Sequence, residues 1–372
     1  MPSPARSTAF DVLLRVESGG FAADLLFALS KSLDSRDAGL ASEITLGALR
    51  FQSQLDYLIE HYSGRPASRL DAEVRVALRM AIYQMRYLER IPAHSSVHES
   101  IELIKRARKR SAAGFANAVL RKVDRQPVSW PSRAIELAHP EWLLDRWDRQ
   151  FGAETADAVA RANLVRPETY VRLPGGAPGL EATEIEGCYR VISADTRGLR
   201  VQDIGSQSIV PLLGLEPGHR FLDLCAAPGN KTAQALESDV KAVACDIHPR
   251  RLAPLRKLGI SLVALDAREP LPFRVKFDRI LVDAPCSGTG TLAHNPEIKW
   301  RLQPGDIEEL QESQRRILGR AREALAPGGR LVYSTCSLER EENEDVVEGL
   351  AMRTVRRLPG RDPGDGFFAA IL

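Results

Sequence analysis

Two cysteines fifty residues apart, Cys286 in "LVDAPCSGTG" and Cys336 in "RLVYSTCSLEREENE", each follow an apolar run of strand length and open a loop of Ser, Thr and Gly. A thiol in either place is a candidate nucleophile, because thiolate addition splits one hard step into two easier ones. Asp283, two residues before Pro285, is a candidate general acid beside them. The set suits a reaction at a ring carbon. C5 of a pyrimidine is a poor nucleophile until a thiolate adds at C6, and Asp283 could act at ring N3 and the amino group during that addition. Once a group has joined C5, its proton must leave and the thiolate must be expelled, which gives a second thiol a use. The residues alone do not say which cysteine attacks.

The elements that must position these groups are strands alternating with helices. "RFLDL" (220–224), "KAVACD" (241–246), "SLVALDA" (261–267), "FDRILVDA" (277–284) and "GGRLVYSTC" (328–336) are near-continuous apolar runs, with a helix expected over 306–325. Such alternation predicts a buried parallel sheet that binds ligands at the carboxyl ends of its strands. The first strand runs into "CAAPGNKTAQAL", a turn of small residues opening a helix, where a ligand can approach backbone amides closely. A Walker phosphate loop would need glycines where this chain has Cys225 and Asn230, and G-x-G-x-x-G is absent. Lys231 opposes the dipole of its helix and should meet an anion, either a cofactor carboxylate or Asp283. Asp246 and Asp266 end the next two strands, placed for ribose hydroxyls and an adenine amino group. Ribose acids without a phosphate signature favour S-adenosyl-L-methionine over a dinucleotide. Methyltransferases acting on exocyclic amines place an aromatic after Asp/Asn-Pro-Pro at the fourth strand, whereas Asp283-Ala284-Pro285-Cys286 puts a nucleophile there. Cys336 precedes a helix expected to begin near Glu339, whose amino end could lower a thiol pKa from about 8.5.

The remaining composition narrows the class. The 372 residues carry no leading signal segment and no apolar run near the ~18 that a span requires, so a cytoplasmic protein is expected. Five cysteines (188, 225, 245, 286 and 336) without C-x-x-C or histidine spacing support neither disulfides nor a metal site. Net charge is +2, but residues 1–130 hold 19 Lys and Arg against 14 Asp and Glu, and "KRARKR" sets five cations in six positions, so a polyanion is the expected partner. That stretch predicts helices throughout. Ser96 and Glu99 suggest a capping box, and Val74, Leu78, Ile82 and Met85 share a face from which Arg75, Arg79 and Arg86 point away.

"RIPAHSSVHESIELIKRARKRSAAGFANAVLRKV" resembles the helical RNA-binding domain of the antitermination factor NusB, a likeness covering most of residues 5–127. "LDLCAAPGNKT", "DAPCSGTGTL" and "YSTCSLEREENE", in this order, resemble the signature motifs of the RsmB/Sun (Fmu) family of RNA cytosine-C5 methyltransferases. The ending "DGFFAAIL" extends the likeness to nearly the whole chain. It implies an all-α NusB-like domain over 1–130, a linker and small α+β middle unit over 131–205, and an α/β Rossmann-like class I methyltransferase domain over 206–372. It further implies methylation of cytosine C5 in 16S ribosomal RNA, with Cys336 as nucleophile, Cys286 assisting product release, and Asp283 and Lys231 in the catalytic set. Cys225, Ala226, Ala227, Pro228, Gly229, Asn230 and Lys231 would form the cofactor loop, with Asp246, Asp266 and Asp283 lining the site. Ribosomal RNA is the expected partner, with no membrane or metal, and a monomer is expected. Transfer RNA or DNA as substrate, or a non-catalytic ribosome assembly factor, are the competing readings. The family loop usually reads A-P-G-G-K-T; Asn230 replaces its second glycine, and is expected to tolerate the left-handed backbone there.

Overall fold

The computed structural model describes residues 2–372. Packing divides them into two compact units: the chain up to Val165 together with Leu292–Arg301, and Arg166–Thr291 together with Leu302–Leu372.

The first unit opens with seven α-helices: α1 (Pro4–Glu17), α2 (Ala22–Leu29), α3 (Ser35–Arg50), α4 (Gln52–Ser63), α5 (Ala72–Tyr87), α6 (Ala93–Arg106) and α7 (Ala113–Leu120). α5 is central, packed against α1, α3, α4, α6 and α7. Its predicted stripe of Val74, Leu78, Ile82 and Met85 is buried, but so is Arg79, which was expected to face water. A helix surrounded on most sides has little outer face. The buried guanidinium is matched by two carboxylates, Glu17 at 2.9 Å and Asp56 at 2.6 Å. The expected capping box is also absent: α6 starts earlier, behind Pro92, so Ser96 is buried within it. Glu99 instead accepts from the Ser3 backbone N–H at 2.8 Å and from Arg6 at 2.9 Å. In the basic run, Lys105 pairs with Glu102, Arg106 with Asp11 and Lys109 with Asp71, so part of its charge is already neutralised. Helices Glu141–Phe151 and Ala153–Ala162 belong to this unit too.

The short segment Leu292–Arg301 completes the helical unit by supplying donors to helix ends. Lys299 Nζ donates to the Arg50 carbonyl at 2.9 Å and Trp300 Nε1 to that of Leu49 at 2.7 Å, both at the end of α3. Arg301 donates to the Val16 carbonyl at 2.6 Å, near the end of α1, and to that of Gly20. Terminal helix carbonyls lack the regular intrahelical donor, so these contacts add hydrogen bonds where the helical ladder ends.

The second unit holds two sheets. Strands β1 (Tyr170–Arg172), β2 (Leu180–Ala182), β3 (Cys188–Val191) and β4 (Arg200–Val201) form an antiparallel sheet in the order β2-β3-β1-β4. The larger sheet contains β5 (Arg220–Asp223), β6 (Lys241–Asp246), β7 (Ser261–Ala264), β8 (Phe277–Asp283), β9 (Leu325–Thr335), β10 (Arg353–Arg357) and β11 (Phe367–Ile371), in the order β10-β11-β9-β8-β5-β6-β7. β7, β6, β5, β8 and β9 are parallel neighbours, while β11 runs antiparallel to both β9 and β10. The apolar runs are continuous because both faces are covered. Ile280 and Val282 pack with Ile317, Leu318 and Ala321 of the helix Pro304–Ala324, while Leu281 packs with Ile209, Val210 and Leu213. This is a Rossmann-like sheet. Strand order reverses at β5, which has β6 on one side and β8 on the other, so a crevice opens at their carboxyl ends.

Candidate active site

β5 delivers Asp223 to the crevice and then turns through Leu224–Gly229 into the helix Asn230–Ala235. Gly229 takes φ +103°, and a Cβ there would lie 2.6 Å from the Leu255 side chain, so both backbone and packing require glycine. The left-handed residue is thus Gly229. Asn230, expected to adopt that conformation, is instead the first helical residue and donates to the Val201 carbonyl at 3.3 Å. Lys231 finds its anion in Asp283 at the end of β8, at 2.7 Å, and Asp283 also accepts from Ser334 Oγ at 2.9 Å. Two neighbouring strands, β8 and β9, and the helix that follows β5 are therefore tied at one point.

Asp223 lies beneath this pair, buried, and accepts from Thr232 Oγ1 at 2.7 Å. Burial pushes its carboxyl up to about 7 despite that hydrogen bond. A carboxyl raised in this way stabilises the fold while protonated, so its contribution is full below about pH 4 and lost as pH rises through about 7. Asp223→Asn is therefore expected to melt at higher temperature than the parent protein above pH 7, and at a similar temperature near pH 4. Thermal melts across that range check it.

Asp246 at the end of β6 is buried and accepts from the His248 backbone N–H at 2.9 Å. Asp266 follows β7, which stops at Ala264, and its carboxylate is gripped by Arg268 through contacts of 2.9 and 2.6 Å. That guanidinium holds the carboxyl down at about 2. A cavity of about 470 Å³ collects these groups: Cys225, Ala227, Asp246, Asp266, Asp283, Cys286 and Cys336 all line it. Ala226, Pro228, Gly229, Asn230 and Lys231 do not. Ala226 packs with Leu252 and Leu255, and Lys231 reaches the cavity only through Asp283. The cavity wall also takes Ile247, His248, Arg251 and Arg268, none of which was singled out from sequence. The available signal was an isoleucine directly after a strand-end acid, and the structure leaves it half-exposed.

The two thiols meet, with Cys286 Sγ 3.3 Å from Cys336 Sγ. β8 and β9 are paired neighbours, and beyond their ends the loops stay joined: Ala284 N–H donates to the Ser334 carbonyl, and Gly290 N–H to that of Cys336, each at 2.8 Å. A Cβ on Gly290 would stand 2.8 Å from the Cys336 carbonyl oxygen and 2.3 Å from that of Gly366, so this approach admits only glycine. Contact with Cys336 and burial hold the Cys286 thiol well above its ordinary range. The helix expected near Glu339 is not present. The chain forms a 3₁₀ turn at Arg340–Glu342 and the four-residue helix Glu344–Val347, too little helix for a sizeable dipole. Beneath the loops lies a buried polar group, Ser287, Gln314, Ser337, Glu342 and Asn343. The sequence run "EREENE" had hidden Glu342 among charges that ordinarily face water. Chemically, the arrangement offers a nucleophile, a second thiol within hydrogen-bonding distance of it, and a carboxylate with its counter-ion.

The family model for the 16S rRNA methyltransferase RsmB/F matches residues 210–354, and that of the NusB family matches residues 3–125. The ribosomal RNA small subunit methyltransferase B of Citrobacter koseri is 31% identical, covering 96% of this chain and 95% of that protein. The probable ribosomal RNA small subunit methyltransferase B of Bacillus subtilis is 30% identical, covering 92% and 87%. Among solved structures, that of PH0851 covers 100% of this chain and 98% of its own, with a TM-score of 0.82 at 22% identity, a likeness of fold.

Proposed function

Since the chain belongs to the RsmB/F family of ribosomal RNA small subunit methyltransferases, we propose that it methylates C5 of a cytosine in 16S ribosomal RNA, using S-adenosyl-L-methionine and a covalent adduct through Cys336. The observation that carries the proposal is the 3.3 Å contact between Cys286 and Cys336 in a cavity that also holds Asp283. Methylation of an amine or hydroxyl needs neither thiol, whereas a ring carbon needs one to activate it and gains from another to release it.

The cavity fits the methyl donor. Asp246 is a strand-end acceptor for ribose hydroxyls, and Ile247 offers an apolar face to an adenine ring. When bound, S-adenosyl-L-methionine supplies an electrophilic methyl group. The chain's own residues supply the rest. The Cys336 thiolate adds to C6 of the cytosine, and the displaced electron pair moves through the ring towards C5 and N3. Asp283, with Lys231 as counter-ion, holds the N3 and amino edge and relays a proton to it. After C5 is methylated, solvent water takes the C5 proton, the C–H electron pair closes the C5–C6 double bond, the C6–S bond breaks with its electron pair returning to Cys336, and N3 gives its proton back to Asp283. Cys286, protonated and 3.3 Å away, then donates a hydrogen bond to the departing thiolate. The NusB-like unit is the proposed holder of the RNA, and no helix among the described residues is long and apolar enough to cross a membrane.

Labelled methyl transfer to unmodified 16S ribosomal RNA, transfer RNA and duplex DNA in parallel tests the substrate. Label confined to ribosomal RNA and mapped to cytosine C5 is expected, and label on an amine nitrogen or in transfer RNA alone would overturn the proposal. Asp246→Ala is expected to raise KM for the methyl donor by roughly tenfold to a hundredfold, as loss of a charged hydrogen-bond acceptor does, with a smaller change in kcat.

A further inference from the structure

The residue that follows each cysteine ends on the same carboxyl group. Glu342, fully buried, accepts at Oε1 from the Ser287 backbone N–H at 2.8 Å and from Gln314 Nε2 at 2.9 Å. At Oε2 it accepts from the hydroxyls of Ser287 and Ser337, which are themselves 3.0 Å apart. Ser287 is the neighbour of Cys286 and Ser337 the neighbour of Cys336. Gln314 also donates to the Pro285 carbonyl at 2.9 Å, so the clamp grips both sides of Cys286. The next residue, Asn343, fixes the other loop through the Ser337 carbonyl at 2.9 Å. A buried carboxyl whose compensation comes from four neutral donors is a costly way to fill a core, and an apolar side chain would serve packing better.

We propose that Glu342 is a positioning residue that sets the spacing of the two thiols by holding the Ser287 and Ser337 loops on one carboxyl group. Glu342 touches neither sulfur and acts through the two serines. Its effect on turnover rests on the thiol chemistry proposed above, but its effect on spacing does not. Loss of the clamp lets the loops part, and a displacement of about 1 Å at reacting groups costs on the order of a hundredfold in rate. Glu342→Gln should be well tolerated: its oxygen can replace Oε1, and its amide can donate to the serine hydroxyls, which rotate to accept.

The test pairs two measurements on the full chain. Diamide oxidises the two thiols to a disulfide and is itself reduced to the hydrazine, so the rate of Cys286–Cys336 linkage, followed by mass spectrometry, reads their spacing without RNA or methyl donor. Glu342→Ala is expected to slow linkage by about tenfold and to lower kcat by about a hundredfold, with KM for the methyl donor unchanged and Glu342→Gln close to the parent in both. The double variant Ser287→Ala/Ser337→Ala removes both hydroxyls while keeping the carboxyl; it should move both readings in the same direction if Glu342→Ala does not fold. Unchanged linkage in a folded variant overturns the proposal. Slower linkage with unchanged methyl transfer supports the clamp and instead overturns the catalytic use of the thiol pair.

Discussion

Cys336→Ala is expected to lose methyl transfer by about a thousandfold or more while binding S-adenosyl-L-methionine with near-parent affinity, because removing a covalent nucleophile leaves only positioning and electrostatics behind. In the proposed reaction, C5 is activated by the thiolate that adds at C6. The loss should fall on kcat, and equilibrium binding of the methyl donor, read by calorimetry, should change by less than about threefold. The substitution is conservative for the fold: Cys336 is only partly buried, and its loop is held by the Gly290 N–H and by Thr289, whose hydroxyl accepts from the Leu338 N–H at 2.9 Å. Variant protein that binds neither methyl donor nor RNA would indicate a damaged fold. Variant protein that binds both and still methylates would remove Cys336 from the chemistry.

Cys286→Ala is expected to do the opposite to the adduct. Addition to C6 and transfer to C5 can proceed through Cys336, but its departure loses the one thiol placed 3.3 Å from the leaving sulfur. A hydrogen bond to a charged acceptor contributes about 1.5–3 kcal/mol, so turnover should fall by roughly tenfold to a hundredfold. Covalent protein–RNA complex should accumulate, visible as a slow-migrating band that survives denaturant and disappears on digestion of the RNA. The double variant Cys286→Ala/Cys336→Ala should give no such band. A strong band with Cys336→Ala and none with Cys286→Ala would exchange the roles of the two thiols.

What could be read in the sequence, and what could not, follows from how each residue meets its partners. β6 was legible at both ends because a strand covered on two faces is apolar throughout and stops at Asp246. β10 was not, since "RTVRR" at the edge of a sheet carries the charges that discourage further pairing and looks like a loop. Lys231 announced an anionic partner by opposing its helix, and Asp283 proved to be that partner. Arg79 gave no such sign: helical periodicity places it off the apolar stripe, and its partners Glu17 and Asp56 lie on other helices. The meeting of Cys286 and Cys336 was foreshadowed by their shared position after strands, but pairing of β8 with β9 is a property of strand order, which no local pattern encodes. Glu342 was invisible for a related reason, since its four donors come from three separate stretches of chain.

The ten residues Leu292–Arg301 make the helical unit discontinuous in the chain. A cut after residue 165 yields a piece whose α1 and α3 have lost the lysine, tryptophan and arginine that plug their last carbonyls. Grafting this helical unit onto another scaffold therefore means carrying along a strip of chain that starts two residues past Gly290, in the loop that follows Cys286. In the same way, insertions or deletions between Thr291 and Leu302 are mutations of the helical unit, although they lie far along the chain from the rest of it.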